Sequence, residues 1–264
     1  MFSKARVSAI VFEHLLLLRR SFDEFVDTFY WPIMDIIIWG FMTTYFYKLG
    51  GETALVISFL LGGLILWTIT WRCQQDVSVS LLLDVWHQNL TNLFATPLSI
   101  WEFLLGVLIL GAIKIIFTIS LVFFVALTFF SYSLFQMGIY FLPFFANLLI
   151  FGWVVGIFVT ALIIRFGRTL QNFAWGFIVL LNPIAAVFYP VSTLPPFLQI
   201  LSRMLPASYV FEGMRQVLSE GKVASELLFM ASILNLIYLI LVVLFFSYMF
   251  EKAREKGRLV KLEE

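Results

Sequence analysis

The chain has 264 residues, of which 62% are hydrophobic and 12% are charged, and its mean hydropathy is +1.00. Soluble domains contain about 45–50% apolar and about 25% charged residues, so the composition excludes a soluble domain and predicts an all-α integral membrane protein. The formal net charge of +1 gives no reason to expect a nucleic-acid partner. Cys73 is the only cysteine, which excludes an intrachain disulfide and a cysteine-based metal site.

The first predicted element, residues 3–20, has the pattern of an amphipathic helix that lies on the cytoplasmic face of the membrane. Arg6, Glu13 and Arg20 recur at intervals of seven and share one side of this helix. A plain interfacial anchor accounts for the pattern, and a functional role for the helix is the alternative.

Six apolar segments follow that are long enough to cross a bilayer at about 20 residues per span. They are too long for the strands of a soluble sheet, and their apolar residues do not alternate with polar ones. We therefore predict one transmembrane domain over residues 1–264 with spans at about 28–47, 53–71, 103–130, 139–164, 172–190 and 227–250.

The distribution of Lys and Arg predicts that both termini are cytoplasmic. With that orientation, twelve basic residues lie at the inner ends of the spans, and four lie at the outer ends, namely Lys48, Arg203, Arg215 and Lys222. Because cytoplasmic loops of membrane proteins are enriched in Lys and Arg, this imbalance sets the direction of the spans.

Residues 73–101 are predicted to form a cytoplasmic loop after the second span. The segment is mildly amphipathic and compatible with a helix as far as Pro97. Such a helix can serve as a docking surface for a partner, and an ordinary connecting loop is the equally good alternative.

Two charged residues, Asp35 and Lys114, fall inside predicted spans. A charge at the middle of a membrane helix costs about 2.5–3.5 kcal/mol on insertion scales, so each needs a partner or access to water. We expect the two to pair or to line one polar cavity. The alternative is that Lys114 extends its amine toward the interface and Asp35 occupies a local packing defect.

The stretch between the fifth and sixth spans is rich in proline, with Pro190, Pro195, Pro196 and Pro206 within 17 residues. Proline removes a backbone donor, so a straight helix cannot continue through this spacing. Since the stretch stays apolar, it predicts a re-entrant helical hairpin on the outer face of the membrane. Broken backbone at membrane depth is tolerated where protein or a water-filled cavity surrounds it, which suggests a pathway or gate.

Motifs of hydrolytic enzymes are missing from the sequence. It contains no phosphate-binding loop of the G-x-x-x-x-G-K-[ST] type, no H-E-x-x-H and no G-x-S-x-G. The two histidines, His14 and His87, are far apart in sequence and are read as solvated helix residues. We therefore predict no catalytic residue, no metal site and no bound cofactor in this chain.

Two stretches resemble type-2 ABC exporter permeases, the transmembrane subunits of the ABC-2 type transporter family. Residues 89–106 are similar to the family's segment leading into the third span, through Thr91, Leu93, Thr96, Pro97, Leu98, Ser99 and Gly106. Residues 182–215 are similar to its signature after the fifth span, through Pro183, Tyr189, Pro190, Leu194, Pro195, Leu205, Pro206 and Arg215. The sequence departs from the family where it has DVWHQ before Asn89, since the family often carries an Arg/Glu pair before Gly-Thr there.

The resemblance implies a permease in the inner (cell) membrane that works as a homodimer, or with a paralogue, and binds two copies of an ATP-binding-cassette ATPase. ATP and Mg²⁺ would be held by that ATPase, and membrane lipid would surround the permease. The resemblance implies that the N-terminal helix and the loop after the second span transmit the motion of the ATPase, and within them we assign ATPase coupling to Glu13, Arg20, Asp84, Trp86, His87, Thr91 and Pro97. We assign the translocation pathway or gate to Asp35 and Lys114, because their charges fall within predicted spans, and to Tyr189 and Pro190 of the proline-rich stretch.

The implied function is export of a lipid, a drug or a lipid-linked or capsule polysaccharide. The first alternative is an integral membrane enzyme that acts on lipid-linked substrates, for which the acidic group Asp23, Glu24 and Asp27 is the only candidate site. The second is a secondary transporter, which would carry broken helices in matching halves. The third is an assembly or scaffold protein.

Overall fold

The computed structural model describes residues 2–49, 54–86, 89 and 95–255, and this part of the chain contains helices and no strand. The helices are α1 (Lys4–Arg20), α2 (Phe22–Phe25), α3 (Trp31–Lys48), α4 (Ala54–Trp86), α5 (Ile100–Phe130), α6 (Phe141–Phe166), α7 (Phe173–Ile184), α8 (Pro196–Arg203), α9 (Pro206–Glu220) and α10 (Ser225–Glu255). A π-helical turn (Val26–Tyr30) joins α2 to α3, and 3₁₀ turns occupy Leu134–Tyr140, Gly167–Leu170 and Val191–Thr193.

Five helical segments of the described chain are long and apolar enough to cross a membrane, against the six spans predicted. They are Phe22–Phe46, Leu55–Trp86, Ile100–Phe130, Leu134–Phe166 and Ser225–Glu255. The predicted fifth span, residues 172–190, contains α7, whose 12 residues make it about 18 Å long at about 1.5 Å per residue. A bilayer core is about 30 Å thick, so α7 alone is too short to cross it.

Helix α4 corrects the prediction of a loop after residue 71. The helix continues without a break to Trp86, over 33 residues. Its second half carries Arg72, Gln74, Gln75, Asp76 and Ser78, which are all buried. Hydropathy ends the predicted span at these polar residues, but proline and glycine are absent from residues 64–86, and each of these side chains bonds a protein partner.

Helix α4 lies at the centre of the bundle and packs on α3, α5 and α6. The approach of α6 is close because Gly152 and Gly156 face α4. A Cβ at Gly152 would lie 2.7 Å from both Cys73 Cβ and the Thr70 carbonyl oxygen, and one at Gly156 would lie 2.7 Å from Val77 Cβ. Small residues that let two helix backbones approach are a common device in membrane bundles.

Helix α1 packs along the first turns of α5. A Cβ at Gly106 would lie 2.8 Å from Ile10 Cγ2, so only glycine allows this contact. Ser99 and Glu102 form a capping box, in which the Ser99 hydroxyl accepts from the Glu102 N–H and the Glu102 carboxylate accepts from the Ser99 N–H. This cap begins α5 two residues after Pro97.

The proline-rich stretch forms two short helices between α7 and α10. Pro196 and Pro206 are the first residues of α8 and α9, where a missing N–H leaves no intrahelical bond unmade. The chain turns before them at Ala186, whose φ of +53° lies in the left-handed region. The predicted break in helical structure is thus found at these prolines.

Candidate coupling and translocation site

A buried ion-pair network joins α2, α4 and α5. Lys114 Nζ donates to Asp76 Oδ1 at 2.8 Å and lies 3.9 Å from Glu24 Oε2. Lys114 and Asp76 are both more than 90% buried, so their opposite charges interact in surroundings of low dielectric constant. The pair ties the middle of α5 to the second half of α4.

Arg72 extends the same network to the π-helical turn. Both of its terminal nitrogens donate to Asp27 Oδ2 at 3.2 Å, and Nη1 also donates to Gln75 Oε1 at 2.8 Å. Asp76 Oδ1 lies 3.8 Å away, one helical turn along α4. The guanidinium is therefore held on three sides by oxygen atoms.

The predicted pairing of Asp35 with Lys114 is wrong. The ion-pair partners of Lys114 are Asp76 and Glu24. Asp35 is half-buried and has neither a hydrogen bond nor an ion pair within the described part of the chain. Sequence reasoning missed Asp76 because it placed this residue in a loop. The i,i+4 spacing of Arg72 and Asp76 in a stretch without proline or glycine was the signal that a charged helix continued there.

Asp35 does line a cleft beside the network. The cleft has a volume of about 200 Å³. Its walls come from α3, α4, α7 and the π-helical turn, and consist of Asp27, Trp31, Pro32, Asp35, Thr68, Trp71, Arg72, Gln75 and Trp175. The cleft is partly open at the surface of the single chain and combines indole rings with charged groups.

Helix α1 is tied to the first turn of α5. The carboxylate of Glu102, which is fully buried, accepts from Arg6 Nη2 at 2.6 Å, from Arg6 Nε at 3.0 Å and from the Ser3 N–H at 2.7 Å. A carboxylate bound by a guanidinium through two nitrogens is among the stronger ion pairs. Movement of α1 would therefore be transmitted to α5.

Asp84, a predicted coupling residue, is buried at the end of α4 and faces α1. Its Oδ2 lies 3.8 Å from His14 Nε2. Its Oδ1 accepts from Asn89 Nδ2 at 3.3 Å, and the same amide donates to Glu13 Oε1 at 3.2 Å. The structure thus brings together two predicted residues, Glu13 and Asp84, and adds His14, which sequence reasoning had set aside as solvated.

The other predicted coupling residues are more scattered. Trp86 is 44% exposed and stacks on Trp175 of α7, with ring centroids 5.9 Å apart. Arg20 and Pro97 are exposed, at the end of α1 and before α5. His87 and Thr91 lie outside the described residues.

The predicted gate residues Tyr189 and Pro190 lie in the turn between α7 and α8. The Tyr189 hydroxyl donates to the Pro183 carbonyl at 2.8 Å. Arg215 of α9 closes this turn, because Nη1 donates to the Ala186 carbonyl at 3.0 Å while its neighbour Glu212 accepts from the Val191 N–H at 2.7 Å. Arg215 was predicted as part of a family signature, and its guanidinium also pairs with Glu212, with Nη2 3.2 Å from Oε1.

Comparison with known families agrees with this architecture. A family model for the ABC-2 type transporter matches residues 14–219, from α1 to the end of α9. The chain belongs to the ABC-2 type transporter family. The resemblance seen in the sequence is thereby confirmed, and the protein is a multi-pass permease component of an ABC transporter. Permeases of this family normally pair with an ATP-binding subunit. No curated protein sequence matches the chain significantly.

Proposed function

We propose that this permease is the membrane half of an ATP-driven exporter. Two copies would form the pathway, two ATPase subunits would bind at the cytoplasmic face, and the complex would lie in the inner membrane with both termini in the cytoplasm. The observation that carries the proposal is the family match over residues 14–219. ATP and Mg²⁺ would be bound by the ATPase subunits.

The contacts of α1 support a coupling role for the region where α1, the end of α4 and the start of α5 meet. Arg6 bonds Glu102 of α5, and His14 approaches Asp84 of α4. A push on α1 by an ATPase would therefore move both helices. The same two helices carry Lys114 and Asp76, and this ion pair lies beside the cleft. Motion of α1 would therefore be passed along α4 and α5 to the cleft.

On this proposal, substrate passes from the cytoplasmic side along the cleft and leaves past the turn at Tyr189 and Pro190. The segment 172–190, with α7 and the turn that follows it, would complete the sixth crossing. Helices α8 and α9 would form the outer re-entrant hairpin. A lipid, a drug or a lipid-linked polysaccharide is the expected class of substrate.

The direct test is affinity purification of the permease from its native membrane. We expect an ATP-binding-cassette ATPase to co-purify in equal amount, and native mass spectrometry to give two copies of each subunit. The permease reconstituted alone should not respond to nucleotide. Transport by the lone chain on an ion gradient, or chemical turnover of a substrate by it, would contradict the proposal.

The coupling role is tested in the same complex by the substitutions Asp84→Ala and Trp86→Ala. Each variant should assemble and hydrolyse ATP but lose vesicle transport, because the contact between α1 and the end of α4 is broken or the α4–α7 stack is lost. Glu226→Ala, at an exposed carboxylate in the first turn of α10, is the matched control. Normal transport in both coupling variants would remove this role from the end of α4.

A further inference from the structure

The cleft beside α3 lies in a part of the bundle that carries an excess of negative charge. Asp27 and Asp35 line it together with Arg72, and Asp76, Lys114 and Glu24 lie in the network behind Arg72. These six side chains comprise four carboxylates and two cations, so their formal charges add up to −2. In surroundings of low dielectric constant, such an excess attracts a cation.

One of the two excess negative charges is located at Asp35. The guanidinium of Arg72 is already bound by Asp27 and Gln75 and lies near Asp76. Asp35 is the carboxylate of the cleft that has neither a hydrogen bond nor an ion pair within residues 2–49, 54–86, 89 and 95–255. A half-buried carboxylate without a partner is costly, and a bound cation would lower that cost.

Indole rings supply the rest of the lining. Trp31, Trp71 and Trp175 come from three different helices and meet at this cleft. Trp86 stacks on Trp175 with an interplanar angle of 9°, which holds that ring in place. Tryptophan is the aromatic side chain that attracts cations most strongly, and several aromatic rings around one carboxylate are typical of sites for quaternary ammonium groups.

The size of the cleft limits the ligand. Its volume of about 200 Å³ exceeds that of the roughly 150 Å³ protein cavity that holds benzene. Arg72, which lines the cleft, lies about 27 Å along α4 from Ala54, counting about 1.5 Å per residue. A bilayer core is about 30 Å thick, so if α4 enters the core at Ala54, the cleft lies near the opposite edge. A small ammonium headgroup fits this space, and it could arrive from solution or from the membrane surface.

We propose that the cleft binds a small organic ammonium cation, with Asp35 as its counter-charge and Trp31, Trp71 and Trp175 around its alkyl groups. The proposal that this cleft binds such a cation depends only on the geometry and charge of the cleft. As the place where the exporter takes up its substrate, it rests on the function proposed above. The chemistry is that of a choline-like or alkylammonium group.

Equilibrium binding of choline to the full-length permease tests the proposal. The protein is placed in nanodiscs of phosphatidylglycerol, and binding is followed by calorimetry and by tryptophan fluorescence. The uncharged isostere 3,3-dimethyl-1-butanol is the matched control ligand. We expect choline to bind about tenfold more tightly or better, because only choline gains the cation–π and Coulomb terms. Equal binding of the two ligands, or no choline binding, would overturn the proposal.

Variants assign the binding to this cleft. Asp35→Asn keeps the shape and removes the charge, and should weaken choline binding about tenfold. Asp35→Glu restores the charge and should restore most of the affinity, which separates this effect from misfolding. Trp31→Leu should weaken binding too, whereas Trp101→Leu, at a tryptophan that packs on Phe246, should not. Unchanged binding in Asp35→Asn would show that the cation binds elsewhere.

Two further measurements distinguish a cation that comes from a lipid headgroup from one that comes from solution. They also distinguish the binding proposal from the exporter proposal. If the headgroup comes from lipid, nanodiscs of phosphatidylcholine should compete with free choline, and those of phosphatidylglycerol should not. If the cation is taken up from solution, both compositions should give the same affinity. These measurements use the permease without ATPase, so they decide the binding site even if the exporter proposal fails.

Discussion

At the scale of single residues, the fold buries a cluster of three charged side chains between α4 and α5 and supplies each with a partner. Arg72, Asp76 and Lys114 are 4%, 4% and 7% exposed. Burial of such groups costs several kcal/mol each unless hydrogen bonds and opposite charges offset the cost. Their mutual distances of 2.8 to 3.8 Å are what makes the burial tolerable.

The Lys114–Asp76 pair gives the residue-scale prediction. Lys114→Met should lower the free energy of unfolding by about 3–5 kcal/mol, because Asp76 is left buried with a charge whose closest partner is lost. The double variant Asp76→Asn/Lys114→Met should be more stable than Lys114→Met, since neither charge remains. Unfolding by denaturant in mixed micelles measures both.

Lys222→Met serves as the control for this pair, since Lys222 is an exposed lysine after α9. It should change the free energy of unfolding little. If the double variant proves less stable than Lys114→Met alone, the pair does not offset its own burial in the way that the distances indicate.

At the scale of elements, the contact between α4 and α6 determines the architecture of the bundle. Gly152 and Gly156 place the α6 backbone against Cys73 and Val77. Polar bonds add to it, since the Thr70 hydroxyl donates to the Leu148 carbonyl at 3.3 Å. On the far side of α6, the Asn235 amide of α10 donates to Asn147 Oδ1 at 2.9 Å. Helix α6 is thus fixed on both faces.

At this scale we predict the effects of two glycine substitutions on stability, and the structure indicates that they have opposite signs. Gly152→Ala should destabilise the permease by about 1–3 kcal/mol, because the new methyl group would collide with backbone and side-chain atoms of α4. Gly176→Ala in α7 should be neutral or stabilising by up to about 1 kcal/mol, because alanine has the higher helix propensity and no atom lies within 4 Å of the new Cβ. The same unfolding assay compares them, and equal effects would contradict the close contact.

At the scale of the whole molecule, the arrangement proposed above depends on whether residues 172–190 cross the membrane. Five helical segments of the described chain are long and apolar enough to cross, and α7 with its 12 residues is too short to span by itself. Lys4 and Lys222 are separated by four of the long crossings and by α7. They lie on opposite sides of the membrane only if the segment with α7 also crosses.

Cysteine labelling tests this arrangement. In a Cys73→Ala background, which keeps the Cβ that packs on Gly152, we expect Lys4→Cys to react with an impermeant maleimide only from the cytoplasmic side. Lys222→Cys should react only from the outer side. Both positions are exposed, and the background protein without cysteine should not be labelled. Labelling of both positions from one side would show that residues 172–190 do not cross.

The sequence by itself determined the membrane class, the family, the existence of helix α1 and the break in helical structure at the prolines, because each of these depends on local composition or spacing. Apolar length marks a helix in lipid, and closely spaced prolines at 195, 196 and 206 keep one straight helix from continuing through all three.

Only the tertiary structure decided that α4 continues to Trp86, that Lys114 pairs with Asp76 rather than Asp35, and that Asp84 faces His14. Hydropathy reads a polar residue as one that seeks water, and it cannot know that another helix supplies the missing partner. Which charges meet across a bundle depends on the rotation and depth of helices distant in sequence, and these are fixed by packing at sites such as Gly152 and Gly106.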